Sequence, residues 1–118
     1  MQVAAIVVNY NDVETTLAQI ERLEALPSIA KVIVVDNHSR DDSRVRLKAR
    51  ACERVIFIQA KRNGGYGYGN NIGLYYAHEN HFDMALIANP DTYISEDVLK
   101  KMCVILKKNK KYYSKLRK

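Results

Sequence analysis

Residues 82–92 read FDMALIANPDT, and this stretch decides the fold that we expect. The apolar run at 84–88 has the length of a buried β-strand. Pro90 ends that strand, because proline cannot extend a central strand and holds the residue before it extended. Asp91 is then presented at the carboxyl end of the strand, the edge of an open α/β sheet where ligands bind. A carboxylate there can hold a hard cation such as Mg²⁺; the alternative is an ordinary turn residue.

The composition indicates one globular domain or part of one. The chain has 118 residues, 47% of them hydrophobic, which is enough for a packed core and too many for a disordered chain. No apolar run approaches the ~18 residues of a membrane helix, and no basic segment precedes the first apolar run, so we expect neither a membrane span nor a signal peptide. Cys52 and Cys103 lie far apart, which favours free thiols in a reducing, cytoplasmic setting over a disulfide or a zinc site.

The basic charge lies at the end of the chain. Residues 107–118 contain seven lysines and arginines and no acid, so subtracting their +7 from the net +6 leaves the rest near −1. We therefore expect a nearly neutral domain at 1–106 and a basic tail at 107–118. Such a tail is either merely solvated or attracted to an anionic membrane surface, at ~1 kcal/mol per basic residue.

Three more apolar runs, at 3–8, 32–35 and 55–58, predict strands that are buried on both faces. Amphipathic segments separate the runs and predict helices. The order βαβαβαβα predicts an α/β fold in which a mostly parallel sheet carries helices on both faces. Four polar loops, at 9–12, 36–39, 59–69 and 89–92, then converge on one edge of the sheet.

Helix ends are predicted from capping signals. Asn11 and Glu14 have the spacing of a capping box, and Ser39 is expected to cap a helix that runs to about residue 51. Ser95 is expected to cap the last helix. The buried side of that helix is predicted to carry Val98, Leu99, Met102, Cys103 and Leu106.

Two of the polar loops carry candidate binding groups. Asp36 ends an apolar run, so its carboxylate is expected either to accept hydrogen bonds from a ribose or a base, or to cap the next helix. The segment NGGYGYGNNIG at 63–73 has four glycines within six residues, which permits a close approach of its backbone to a ligand. It contains neither the dinucleotide fingerprint nor a Walker loop, and the alternative is a flexible loop with incidental glycines.

Together these motifs resemble the amino-terminal half of family-two glycosyltransferases, inverting enzymes of the GT-A fold, especially the rhamnosyltransferase-like members. The likeness runs from Val3 to about Leu99 and rests on VVNYND at 7–12, VIVVDNHSRD at 32–41, NGGYGYGNNIG at 63–73 and NPDT at 89–92. It implies a Rossmann-like half of a GT-A fold that binds a UDP- or dTDP-sugar with Mg²⁺ or Mn²⁺. The acceptor implied is a saccharide or a lipid-linked sugar.

The resemblance also implies roles for single residues. Asn9 and Tyr10 would lie against the nucleobase, and Asp36 would contact the base or the ribose. Asp91 would take the place of the last acid of the family's D-x-D motif and hold the metal, whereas Asn89 replaces the first acid and removes a charge. Further members of the donor site would be Asn11, Asn63, Gly65, Gly69 and Asn71.

The catalytic base is not assigned. In the family it lies well beyond the D-x-D region, and after Asp91 the only acids here are Glu96 and Asp97, which belong to a predicted helix start. The acceptor half is therefore expected to lie outside this chain. Alternatives are a non-catalytic nucleotide-binding module and a basic-tailed protein that binds nucleic acid or anionic lipid. The glycosyltransferase interpretation implies no nucleic acid, a location at the inner face of the membrane, and a homodimer that covers exposed apolar surface.

Overall fold

The computed structural model describes residues 1–108, in which strands and helices alternate as predicted. The predicted order βαβαβαβα is confirmed. Among these residues no helix is both long and apolar enough to cross a membrane. The strands are β1 (Val3–Asn9), β2 (Ile29–Asp36), β3 (Val55–Gln59) and β4 (Met84–Ile87), and the helices are α1 (Val13–Glu24), α2 (Ser43–Arg50), α3 (Gly65–Glu79) and α4 (Glu96–Lys108).

The four strands form one parallel sheet in the order β3-β2-β1-β4. Because all strands run in the same direction, their carboxyl ends share one edge, where Asn9 pairs with Asp36 and Asp36 with Gln59. The prediction that Asp36 and Asp91 lie at the same edge is confirmed. The strand order reverses between β1 and β4, and such a switch point leaves a crevice at the carboxyl edge of an open sheet.

Both faces of the sheet are covered. Every residue of β1 is buried, and its residues 3–8 are continuously apolar rather than alternating. Its side chains at 3, 5 and 7 pack with α1, α2 and α4, and those at 4, 6 and 8 pack with α3. The core therefore lies in two layers, and the predicted α/β fold class is confirmed.

Helix α3 begins earlier than the sequence predicted. The loop expected through residue 69 ends at Gly64, and Gly65, Gly67, Gly69 and Gly73 all lie within the helix. A Cβ atom at Gly69 would lie 2.7 Å from Val8 Cγ1, and one at Gly73 would lie 2.5 Å from a Cγ atom on β1. These two glycines therefore allow α3 to approach the sheet closely.

We expect Gly73→Ala to destabilise the protein. The added methyl group would meet Cγ2 of Ile6, a fully buried β-branched side chain, and overpacking of this kind typically costs about 1–3 kcal/mol. The matched control is Gly67→Ala in the same helix, where a Cβ atom has nothing within 4 Å. That control should be neutral or stabilising by up to about 1 kcal/mol, because alanine is the better helix former. Urea unfolding measures the free energy of unfolding of both variants. Equal changes in that free energy would contradict the packing role of Gly73.

Two of the three predicted helix caps are wrong. Helix α2 begins at Ser43 with Asp42 as its N-cap, so Ser39 lies outside it. Helix α1 has Asp12 as its N-cap, and no capping box forms at Asn11, which adopts a φ of 50°. The Asn11 Oδ1 atom instead accepts a hydrogen bond from the Arg40 backbone N–H at 2.8 Å.

The cap predicted for α4 is confirmed, because Ser95 Oγ accepts a hydrogen bond from the Val98 N–H at 3.2 Å. The Val98 side chain, which was expected to be buried, is 49% exposed, whereas Leu99 is fully buried. The predicted boundary after residue 106 falls within α4, which the structure describes as Glu96–Lys108. The rest of the predicted tail, 109–118, lies outside the described residues.

Glu96 fastens the start of α4 to the loop before β2. Its carboxylate accepts hydrogen bonds from Ser28 Oγ and, at 2.9 Å, from the Ser28 N–H. The Ser28 hydroxyl and then the Ser28 backbone lower the pKa of Glu96 below its ordinary value of 4.5. A lowered carboxyl pKa stabilises the fold above the ordinary pKa, and this contribution disappears as the pH falls through the lowered value.

We therefore expect Glu96→Gln to lower stability at pH 7 but not below the lowered pKa of Glu96. The parent should lose the contribution of the charged carboxylate as the pH falls from about 4.5, so the two unfolding curves should converge in acid. Thermal unfolding from pH 7 to pH 3 measures the difference. A difference that stays constant over this range would contradict the assignment to the Glu96 carboxylate.

Candidate functional site

A buried hydrogen-bond network joins the ends of β1 and β2. The Asp36 side chain is 0% exposed. Its Oδ1 accepts hydrogen bonds from Asn9 Nδ2 at 3.0 Å and Ser39 Oγ at 2.6 Å, and its Oδ2 accepts one from the Ser39 N–H at 3.1 Å. Asp36 therefore points inward and organises the loop, and its predicted contact with a base or a ribose stays a prediction.

The network extends to the neighbouring loop. Ser39 Oγ accepts a hydrogen bond from the Asn11 N–H at 2.9 Å, and Asn11 in turn accepts one from the Arg40 N–H. The loops after β1 and β2 are thus held together by reciprocal bonds. Tyr10 follows Asn9 on this surface and is 37% exposed, so its ring is accessible beside the network.

Asn37 connects β2 to the start of α3. Its Nδ2 donates hydrogen bonds to Asn63 Oδ1 at 3.1 Å and to the Gly65 carbonyl oxygen at 2.9 Å. Asn63 Oδ1 also accepts a hydrogen bond from the Gly65 N–H at 3.1 Å. The Asn37 side chain is 2% exposed, and within residues 1–108 its Oδ1 has no hydrogen-bond partner. Asn37 and Asn63 therefore set the position of the helix start, and the Asn37 Oδ1 atom is buried there.

A cleft of about 600 Å³ lies at the switch point between β1 and β4. This volume is within the range of small-molecule sites. Three parts of the chain line the cleft: the start of α1, the first turns of α3, and the end of β4 with the turn after it. The lining residues are Asp12, Thr15, Tyr66, Asn70, Ile87, Asn89, Pro90 and Asp91.

The cleft is acidic. Asp12 and Asp91 both line it, and none of its lining residues is basic. Thr15 Oγ1 donates a hydrogen bond to Asp12 Oδ1 at 2.9 Å, which holds that carboxylate at the start of α1. An anion entering such a cleft would meet two negative charges, and a cation bound between anion and carboxylates would remove this repulsion.

The cleft offers the ligand types that a hard cation prefers. Its possible oxygen ligands are the carboxylates of Asp12 and Asp91, the amide oxygens of Asn70 and Asn89, and the hydroxyl of Thr15. Residues 1–108 contain no group of three or more His, Cys, Asp and Glu side chains placed to hold a metal. Mg²⁺ characteristically takes one or two carboxylates and completes its shell with phosphate oxygens and water, so the residues fit a cation shared with a phosphorylated ligand.

The structure brings together only part of the predicted site. Asp91 lines the cleft, and Asn9 and Asp36 lie in the buried network at the same edge of the sheet. Gly69 is packed against Val8, so its predicted contact with a nucleotide stays a prediction, as does that of Asn71, which is exposed on α3. Sequence reasoning missed Asp12, Thr15 and Asn70 as cleft residues. The position of Asp12 just after a strand end was the available signal.

The comparisons with known proteins agree with this fold. The family model of glycosyl transferase family 2 matches residues 4–115. No curated protein sequence matches the chain significantly. Among solved structures, mannosyltransferase PcManGT from Pyrobaculum calidifontis, in complex with GDP-Man and Mn²⁺, has a TM-score of 0.67 and 21% identity, covering 82% of this chain and 30% of that one. At this identity the likeness concerns the fold.

TarS 1-349 from S. aureus has a TM-score of 0.66 and 26% identity, covering 92% of this chain and 33% of that one. The chain thus spans about a third of the length of these two structures. Both neighbours support the expected GT-A-type, Rossmann-like fold. Because the family model covers nearly the whole chain, the chain belongs to glycosyl transferase family 2.

Proposed function

We propose that this chain binds the nucleotide-diphosphate sugar donor of a glycosyltransferase, together with a divalent cation. The observation that carries the proposal is the cleft at the switch point, where Asp91 and Asp12 face the same space. Its position, its volume and its oxygen donors suit a phosphorylated small molecule with a hard cation. Family membership supports a sugar donor as that molecule.

Asp91 is the principal ligand of the proposed cation, and Asp12 adds a second negative charge within the cleft. The cation, Mg²⁺ or Mn²⁺, would supply the positive charge that a diphosphate needs beside these carboxylates. PcManGT was solved with GDP-Man and Mn²⁺, which supports a cation of this kind. The start of α3 borders the cleft through Tyr66 and Asn70, and backbone N–H groups at a helix N-terminus favour phosphate.

The nucleoside is proposed to lie over the loops after β1 and β2. Tyr10 offers an exposed ring there. The nucleotide that we propose is UDP or dTDP. Four further features stay predictions. They are a rhamnosyltransferase-like specificity, inverting transfer to a saccharide or lipid-linked acceptor, membrane contact through the basic tail, and a homodimer.

A thermal-shift panel tests the proposed function. UDP, dTDP, GDP and their sugars are each added with Mn²⁺, Mg²⁺ or EDTA, and heparin serves as a polyanion control. A ligand at 100 times its Kd stabilises the native state by about 2.7 kcal/mol, which gives a shift of several degrees. We expect one nucleotide class to stabilise the protein more with metal than with EDTA. Equal stabilisation by every polyanion, lost at high salt, would instead favour a basic-tailed nucleic-acid or lipid binder.

A further inference from the structure

Helix α1 carries a polar stripe on the side that faces the carboxyl edge of the sheet. Its members are Thr16, Gln19 and Arg22, which are three residues apart and therefore lie on the same face of the helix. Thr16 is fully buried and Gln19 is 1% exposed. Buried polar side chains of this kind require hydrogen-bond partners, and the partners show what the stripe holds in place.

Gln19 and Arg22 bind the backbone of the turn that contains Asp91. Gln19 Nε2 donates hydrogen bonds to the carbonyl oxygens of Asn89 at 2.9 Å and Thr92 at 2.8 Å. Arg22 Nη2 donates one to the Pro90 carbonyl oxygen at 3.0 Å. Arg22 Nε also donates to Gln19 Oε1 at 3.0 Å, so the two side chains support each other. Three of the four carbonyl groups at 89–92 are thus fixed by α1.

The Asp91 carboxylate depends on this support. Among residues 1–108 its side chain accepts no hydrogen bond from another group, and it is exposed at the cleft. Its position is therefore set by the backbone of the turn, in which the Thr92 N–H donates to the Asn89 carbonyl oxygen at 2.9 Å. The Arg22 guanidinium also lies 4.4 Å from the centre of the Tyr93 ring, which holds the chain on the far side of the turn.

The other end of the stripe acts on the buried network. Thr16 Oγ1 donates a hydrogen bond to Asn9 Oδ1 at 2.6 Å. This bond fixes the orientation of the Asn9 amide, whose Nδ2 then donates to Asp36. One helix face therefore orients groups on both sides of the switch point.

We propose that Gln19 and Arg22 are positioning residues for the cation held by Asp91. They touch neither the cation nor the donor, and act by fixing the turn at 89–92. This role rests on the proposed function. Outer-shell partners that orient a metal ligand typically change metal affinity by about 10–100-fold when they are removed. We expect an effect of this size, confined to the metal-dependent part of nucleotide binding.

The test is an Mn²⁺ titration of the thermal shift at a fixed concentration of UDP or dTDP, whichever stabilises the parent more. The variants are Gln19→Met and Arg22→Met, which keep the apolar stem and remove the donors. Arg22→Lys restores a positive charge and a donor. The matched control is Arg54→Met. Arg54 also donates hydrogen bonds to two backbone carbonyl oxygens, those of Glu24 at 2.9 Å and Ile29 at 2.8 Å. Neither of these residues lines the cleft.

We expect Gln19→Met and Arg22→Met to raise the half-saturating Mn²⁺ concentration about 10–100-fold. Nucleotide binding in EDTA should be unchanged in both variants. The half-saturating concentration of Arg22→Lys should lie between those of the parent and of Arg22→Met. Arg54→Met should lower the melting temperature without changing the Mn²⁺ response. If Gln19→Met does not fold, the two Arg22 variants decide the question.

The positioning role would be rejected if Gln19→Met and Arg22→Met bound Mn²⁺ like the parent. It would also be rejected if Arg54→Met raised the half-saturating Mn²⁺ concentration as much as they do. Either result would leave the proposed function intact. A parent whose nucleotide binding does not respond to metal would reject the proposed cation site, and the positioning role with it.

Discussion

Asp91→Asn is expected to abolish the metal-dependent part of nucleotide binding. The substitution keeps the shape of the side chain at the cleft and removes its charge. One charge pair at about 4 Å is worth about 4 kcal/mol at an effective dielectric constant of 20, which corresponds to a loss in cation affinity on the order of 10³-fold. Binding in EDTA should stay at or above the level of the parent, because the substitution removes one of the two negative charges that repel a diphosphate in the cleft. Titration of Mn²⁺ at a fixed nucleotide concentration measures the loss.

Two further acids provide controls for Asp91. Asp12→Asn removes the second charge of the cleft and should weaken the metal response less, because Asp12 is the secondary acid of the proposed site. Asp97→Asn removes an exposed acid at the start of α4, outside the cleft lining, and should leave the response unchanged. A parent-like Mn²⁺ response in Asp91→Asn would show that the cation, if bound, is held elsewhere.

Asp36→Ala is expected to destabilise the protein by about 2–4 kcal/mol. It removes the acceptor for Asn9 Nδ2, which is buried, and for the hydroxyl and N–H of the half-buried Ser39. Each buried donor left without a partner costs about 1–3 kcal/mol. Nucleotide binding should weaken with and without metal, because the loops after β1 and β2 lose their common anchor. Urea unfolding and the thermal-shift panel measure the two effects.

Asp42→Asn is the matched control for Asp36→Ala. Asp42 is exposed, and its side chain makes no capping hydrogen bond at the start of α2. Surface substitutions of this kind usually change stability by less than about 0.5 kcal/mol. Equal free energies of unfolding for the two variants would mean that the buried network contributes little.

The strands could be predicted from the sequence because their signal is local. Each is a short apolar run bounded by polar residues, and the structure differs from the predicted ends only by a few residues. The common edge for Asp36 and Asp91 followed from the parallel order alone. The start of α3 could not be predicted in this way, because glycine is a poor helix former and tertiary packing against β1 overrides that preference.

The inner part of the site depends on long-range contacts. The local sequence around an aspartate at a strand end is the same whether its carboxylate faces a ligand or turns inward. The orientation of Asp36 is therefore decided only by its contacts with Asn9 and Ser39. Gln19 looks like a surface residue of an amphipathic helix. Its partners lie 70 and 73 positions away, and no local pattern indicates them. The cleft acid Asp12 differs, because its position just after a strand end was a local signal, although it also lies within the predicted capping sequence.

Strand β1 lies between β2 and β4 in the sheet, and the ribosome makes it long before β4. Val3 pairs with Ile29 on one side and with Met84 on the other, so the second partner is made 81 residues later. At about 5–20 residues per second, a ribosome needs roughly 4–16 seconds to reach it. During that time one edge of a strand that is apolar from residue 3 to residue 8 has no partner, and such edges promote aggregation. We therefore expect the nascent chain to expose an unpaired, aggregation-prone strand edge until β4 has been made.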